Sequence, residues 1–405
     1  MKSFKDGILT FGLDGRLDTT EARDVDRSLM NTLQACGMDV RKVIIDCLDL
    51  KYISSTGLRI ILKYKKRLKN LELVNVCDEV FRVFEMTGIA RMMTIRKALR
   101  KVELRDDMLL SSGANGSIYR INDDEIVKVC TRPDKETNLI DEFEQAREAF
   151  VMGVPTFICF DIVDCGNGRK GVAFEAINSE TLAKRLIAHP EELDVRARDY
   201  AEILKITNSI EASEGQFRSI NERLIACLYC KQRSINDQEA KALEELVRAI
   251  PERLNIIHND GHTNNILIHG IEEQGMVLID MGEMGVGHPI HEILGCSFIM
   301  LSPKEQPASR FATRDSGLEE DMRWRFMRKV FSHWFSITDE AELDRIMQAA
   351  SSVGTIKSAC LLQEYVLDGI DHECVHDFIV NYMLPRRQQI LEDIRYLCNL
   401  IDGKR

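Results

Sequence analysis

HNDGHTNNIL (residues 258–267) sets Asp260 and Asn265 five positions apart, with His258 two before the Asp. Thirteen residues after Asn265 begins LIDMG (278–282), where Asp280 follows an apolar, strand-like run. Taken singly these residues are commonplace, and a lone Asp–Asn turn caps a helix more often than it does chemistry. Why the chain places Asp260, Asn265 and Asp280 in that order has to be sought with the help of the upstream sequence, which supplies further candidate groups.

It does so in order. LLSSGANGSIYRINDDEIVKVC (109–130) reads as two strands around a turn, with Gly113 and Gly116 in the first connection. Glycine there lets backbone N–H groups approach a phosphate closely, because no Cβ blocks the way. Lys128 lies within the apolar strand EIVKVC and needs a carboxylate or a phosphate, unless that strand is a solvent-facing edge. The helix NLIDEFEQAREAFVMGVPT (138–156) carries Glu142, Glu144 and Glu148, and a Lys–Glu pair between strand and helix would orient Lys128 toward phosphate. FICFDIVDCG and KGVAFEAI read as further strands, the second leaving Glu175–Ala176 as a connector whose backbone could meet an adenine edge.

Phosphoryl transfer from ATP needs a carboxylate near the attacking hydroxyl, oxygen ligands for magnesium, and cationic or N–H support for phosphate. The ordered set of glycine turn, strand Lys, helix Glu, D-x4-N and I-D-x-G offers all of these. The segments SSGANGSIYR, IVKVC, EFEQAREAFVMGVPT, IIHNDGHTNNILI and LIDMGEMGVGHPIHEI resemble kinase-like phosphotransferases of the aminoglycoside phosphotransferase and choline kinase type. The resemblance implies a bilobal protein-kinase-like fold over residues 105–405, with an N-lobe at about 109–176 and a mostly helical C-lobe at about 177–405. It further implies ATP and magnesium as cofactors, Lys128 on the phosphates with Glu142 beside it, Asp260 as catalytic base, and Asn265 and Asp280 as metal ligands. Three positions depart from the family pattern: Asn259 where Gly is usual, IDMG in place of an IDW- or IDF-like run, and Glu292 where an Asp usually follows the GHP block.

The first hundred residues have a different rhythm. GILTFGLDG, VRKVIIDCLDL and LELVNV read as strands, alternating with helices whose N-termini begin near LDTT, SST and DEV. Such alternation argues helices laid on a sheet. In KYISSTGLRIILKYKKRLKN the apolar Leu58, Ile60, Ile61 and Leu62 face inward, and Ser54, Ser55 and Thr56 stand at the helix start, where hydroxyls cap and a phosphate would be well held. GRLD (15–18), VIIDCLDLKYISSTGLR (43–59) and LVNVCDEVFRVFEMTGI (73–89) resemble a STAS domain of the anti-sigma factor antagonist type. That resemblance covers residues 1–104 and implies regulatory protein partners. It also makes Ser55 the candidate phosphosite, although Ser54 stands where the family often has Asp. The expected fold class is thus α/β and α+β, a STAS-type sheet with helices followed by the kinase-like fold.

Charge divides the chain at the same place. Residues 1–105 hold 21 Lys+Arg against 14 Asp+Glu, a net of +7, and the remainder holds 33 against 51, a net of −18. The 44% hydrophobic and 29% charged fractions are ordinary for a globular chain of 405 residues, long enough for two or three domains. No run is apolar enough for a membrane span, and the N-terminus lacks a secretory layout, so a cytoplasmic location is expected. The twelve cysteines are scattered, and the single CxxC (Cys227–Cys230) has no second pair, which points to reduced thiols. HECVH (372–376) matches the spacing of a zinc helix but has no evident third ligand. KYKKRLKN (63–70) is basic with one aromatic, Tyr64, and forms one helix face in an acidic protein, which argues against nucleic acid as a partner.

Beyond residue 293 the chain reads as helical, with a polar connector at 303–317; Trp324 and Trp334 belong to packing. The acidity of this part, as at Glu319–Glu320, suits a cationic acceptor and equally suits solubility. The leading expectation is transfer of the γ-phosphate to a hydroxyl of a small molecule, with the STAS segment regulating or recruiting. The alternatives are a protein serine kinase acting on a STAS serine such as Ser55, and a nucleotide-binding scaffold without turnover.

Overall fold

A computed structural model describes residues 2–37, 40–113, 116–130, 136–269, 275–364 and 371–404. The chain divides into two compact units, Met1–Glu103 and Leu104–Arg405.

The first unit is a five-stranded sheet in the order β1 (Lys2–Lys5), β2 (Ile8–Leu17), β3 (Lys42–Ile53), β4 (Leu71–Val76), β5 (Thr94–Lys97). β1 runs antiparallel to β2, while β2–β3, β3–β4 and β4–β5 are parallel. Parallel neighbours require crossovers, here made by α1 (Glu21–Cys36), α2 (Ser55–Arg67) and α3 (Asp78–Met86). Alternate β3 residues Val43, Ile45 and Cys47 point into a core shared with Leu9, Leu73 and Phe84. At the start of α1 it is Asp18, not a threonine, whose Oδ1 accepts from the amides of Thr20 and Glu21 at 2.9 and 3.2 Å. On α2 the buried residues are Leu58, Ile61 and Tyr64, with Ile60 and Leu62 only half-buried. Tyr64, in the basic run 63–70, does not share its solvated face: it is buried, and its hydroxyl donates to Asp26 at 2.8 Å, where Lys63 also binds at 2.7 Å. Ser54 Oγ accepts from the Gly57 amide at 3.3 Å and donates to the Leu17 carbonyl at 3.2 Å, which leaves Ser55 exposed on the first turn. Gly57 is dictated by proximity: a Cβ there would lie 2.6 Å from the Leu17 carbonyl oxygen.

In the second unit an antiparallel sheet runs Cys159–Asp164, Lys170–Glu175, Glu125–Val129, Gly116–Arg120, Leu109–Gly113. The segment 109–130 thus holds three strands rather than two. The extra turn comes from Asn122, whose side-chain oxygen accepts from the Asp124 amide at 2.8 Å. The helix Glu136–Val151 crosses this sheet, and the chain then passes Pro155–Thr156 to add the strands Cys159–Asp164 and Lys170–Glu175 before it enters the C-terminal half after Glu175. There a short hairpin, Ile266–His269 against Met276–Leu278, is joined to the first half by a bridge between Thr156 and Leu278. The helices Leu193–Ser209, Ile290–Met300, Glu320–Phe335 and Glu340–Glu364 enclose the largest core, with Tyr200, Phe326, Phe331 and Ile356 fully buried. Trp324 and Trp334 pack, partly buried, against it. The connector at 303–317 is not simply polar coil: it folds into a 3-10 turn, Pro307–Phe311, and a short helix, Ala312–Ser316.

Among the described residues no helix is long and apolar enough to cross a membrane, and no group of three or more His, Cys, Asp or Glu could hold a metal. His376 of HECVH lies 3.5 Å from Glu239 on a helix spanning His372–Phe378. The twelve cysteines form no disulfide among the described residues.

Candidate active site

Lys128 occupies an interior strand, with Ile118 and Val172 as its register partners on either side, so it has no edge to solvent. Its ammonium lies 2.7 and 2.8 Å from the two carboxylate oxygens of Glu142 and 3.7 Å from Asp280. Burial pushes the Lys128 pKa down, but the two carboxylates outweigh it and the net direction is up. The lysine is therefore held in its charged form. Glu144 makes no such contact: the helix turns Glu142 toward the sheet and leaves Glu144 on its exposed side.

Lys128, Glu142, Asn265 and Asp280 line one cavity of about 520 Å³. Gly116 forms part of its wall and Phe174 and Ile279 supply apolar surface. Gly116 has φ +152°, and a Cβ there would lie 2.6 Å from the Val129 carbonyl oxygen, so the close passage of this strand over the Lys128 strand demands glycine. Gly113 ends the preceding strand, and the residues between them, 114–115, lie outside the described residues. Ala176 does not line the cavity, and its amide already donates to the Asp124 carbonyl at 2.9 Å. An adenine edge would have to find another donor at this connector.

The loop 258–265 is fixed from several sides. His258 Nε2 donates to the Ile279 carbonyl at 2.9 Å, which leaves Nδ1 to accept the Asp260 amide at 3.3 Å. One imidazole thereby ties the loop to the residue preceding Asp280. The Ile279 amide in turn donates to the Asn265 carbonyl at 3.0 Å. Asn265 Nδ2 donates to both the backbone carbonyl and Oδ2 of Asp260, each at 3.0 Å. Burial pushes the Asp260 carboxyl up, but the neighbouring His262, Lys357 and His258 and the Asn265 hydrogen bond carry the net direction below the usual carboxylate range. Asp260 does not line the same cavity as the other four; Asn265 is the link between them.

Two departures from the expected pattern have structural reasons. Asn259 has φ 63°, in the left-handed region where Asn is among the best tolerated of non-glycine residues. Glu292, fully buried, reaches the His258 amide at 2.9 Å and Asn208 Nδ2 at 3.2 Å, so the longer acid still anchors the loop. Asp280 is also left-handed, with φ 62° and ψ 69°, turning its carboxylate into the cavity.

One residue escaped the sequence reading. Lys357, on the helix Glu340–Glu364 and 1% exposed, donates to the Asn259 carbonyl and lies 3.9 Å from Asp260 Oδ1. Its signal was present: it is the lone charged side chain between Arg345 and Glu364.

Residues 1–102 match the STAS domain model, and residues 108–326 match that of the phosphotransferase enzyme family. No curated protein matches the chain. Among solved structures, a choline/ethanolamine kinase family protein from Mesorhizobium loti is similar at 13% identity, covering 71% of this chain and 92% of that one, with a TM-score of 0.44. Aminoglycoside phosphotransferase APH(4)-Ia is similar at 14% identity, covering 71% and 93%, with a TM-score of 0.46. ADP-bound aminoglycoside phosphotransferase APH(2'')-Ib shares 18% identity over 78% of this chain and 98% of that one, with a TM-score of 0.41. The family model spans more than half of the chain, and with a STAS domain ahead of it the chain belongs to the phosphotransferase enzyme family.

Proposed function

We propose that the second unit binds ATP with magnesium and transfers the γ-phosphate to a hydroxyl of a small molecule. The observation that carries this reading is the convergence of Lys128, Asn265 and Asp280 on one cavity, with Asp260 hydrogen-bonded to its rim. Lys128, held charged by Glu142, would grip the phosphates. The donor set suits magnesium, a hard cation that takes few protein oxygens and fills its remaining positions with phosphate and water. Asp280 offers a carboxylate, and Asn265 offers the carbonyl oxygen left over when its Nδ2 serves Asp260. When bound, magnesium would offset the negative charge of the phosphates. Asp260 would orient the acceptor hydroxyl and take its proton as the oxygen bonds to phosphorus and ADP departs with the bridging oxygen.

A second acceptor has one observation in its favour. Ser55 is exposed on α2 while Ser54 performs the capping, so a kinase could reach Ser55 without disturbing the helix cap. The STAS unit would then be a substrate as well as a recruiter of regulatory proteins.

Labelled ATP with magnesium distinguishes the readings. ADP release that rises with one member of a panel of hydroxyl compounds, and vanishes in Asp260→Ala, supports the small-molecule acceptor. Label on the chain that vanishes in both Asp260→Ala and Ser55→Ala supports the protein acceptor. A folded sample that binds no magnesium-nucleotide refutes both.

A further inference from the structure

Lysine at position 357 is an expensive choice for its surroundings. It sits among the buried Val353, Ile356, Ala359 and Cys360, and only 1% of its side chain reaches solvent. A methionine would fill the same helical position without a charge to satisfy. The ammonium has three neighbours: the Asn259 carbonyl, to which it donates; Asp260 Oδ1 at 3.9 Å; and the ring of Phe298, 5.4 Å from its centroid. The first of these sits at the left-handed turn that aims Asp260, and the second is Asp260 itself.

The carboxylate of Asp260 is thereby addressed at both oxygens. Oδ2 accepts from Asn265 Nδ2 at 3.0 Å, with His262 Nε2 at 3.9 Å, while Oδ1 faces Lys357. A carboxylate held at one oxygen alone can rotate about χ2, whereas one with a donor on one side and a cation on the other keeps its plane. Asn265 contributes a neutral donor from within the loop. Lys357 contributes a charge from a helix almost a hundred residues further on, and it bonds the Asn259 carbonyl rather than the solvent.

We propose that Lys357 is a positioning residue for phosphoryl transfer, holding the Asp260 carboxylate and the Asn259 turn in the orientation that meets the acceptor. This rests on the reading of the site given above. The residue does not line the nucleotide cavity, so it acts on the transfer step and not on nucleotide binding.

The test uses the full chain with magnesium-ATP, water or an identified hydroxyl compound as acceptor, and two variants. Lys357→Met removes the charge at similar volume; Lys357→Gln also removes it but keeps an N–H for the Asn259 carbonyl. Both are expected to lower kcat for ADP release by roughly ten- to a hundredfold. Both should keep the wild-type affinity for magnesium-ATP. In an Asp260→Asn background, Lys357→Met should cost little more, because the residue acts through the missing carboxylate. Wild-type kcat in both variants would overturn the inference. So would loss of nucleotide affinity in both, which is the mark of a purely structural lysine, and so would a full further loss in the Asp260→Asn background. A wild-type protein that binds magnesium-ATP without releasing ADP would instead refute the transferase reading, and the inference would fall with it.

Discussion

Lys128 and Glu142 form a two-pronged ion pair, with the ammonium 2.7 and 2.8 Å from the two carboxylate oxygens and both side chains mostly buried. Removing Glu142 takes away the nearer of the two carboxylates on Lys128 and leaves Asp280 at 3.7 Å, at a cost of about 1–3 kcal/mol. Glu142→Gln is therefore expected to lower the denaturation midpoint and weaken nucleotide binding together. The double substitution Lys128→Met with Glu142→Leu should recover most of the stability and none of the binding. Chemical denaturation and ATP titration of the three proteins check this.

Asp280 separates backbone from charge. Asp280→Asn keeps a residue that tolerates φ 62°, whereas Asp280→Ala adds strain of about 1 kcal/mol. Both should weaken nucleotide binding by about tenfold or more when magnesium is present, and much less when it is chelated. Calorimetric titration with and without the metal reads the difference, and equal losses in both conditions would count against metal ligation by Asp280.

His291 gives the fold an acid limit. Burial, then the charges of His288 and Lys357, push its pKa from the ordinary 6.5 to about 3, and its Nε2 donates to Asn221 Oδ1 at 2.7 Å. A base whose folded pKa is depressed binds its proton in the unfolded chain first. The stability it permits is complete above 6.5 and is lost as pH falls from there toward 3, at about 1.4 kcal/mol per unit. Denaturation midpoints measured between pH 7 and 5 should slope accordingly, and the slope should flatten in His291→Gln.

In the first unit, Gly57→Ala places a methyl group 2.6 Å from the Leu17 carbonyl oxygen, so α2 must shift away from β2. The expected cost is about 1–3 kcal/mol. Thermal scans should show this loss in the transition of the first unit, with ATP affinity unchanged.

Much of this was legible in the sequence for a physical reason: local patterns encode local structure. The strand Lys, the loop Asp and Asn, and the Asp after MVL lie in short segments whose periodicity fixes their placement. Position 128 was also legible as a cost, since a cation inside an apolar strand has to be matched by something. Pairing at long range was not. Lys357 meets Asn259 only because a C-terminal helix packs behind the loop, and no spacing rule spans that distance. Tyr64 misled for the same reason, because its Asp26 partner lies on another helix. At the connector after Glu175 the Ala176 amide is taken up by Asp124, which belongs to the turn at Asn122 between two strands that the pattern of apolar residues does not separate.

The division of labour between Ser54 and Ser55 has a consequence for any modification of Ser55. Because the first hydroxyl alone secures the start of α2, the second is free to gain or lose a charge without melting the scaffold that displays it. A mark written there would alter what a partner meets on the surface while the sheet beneath stayed the same, so display and architecture would fall to adjacent residues without competing.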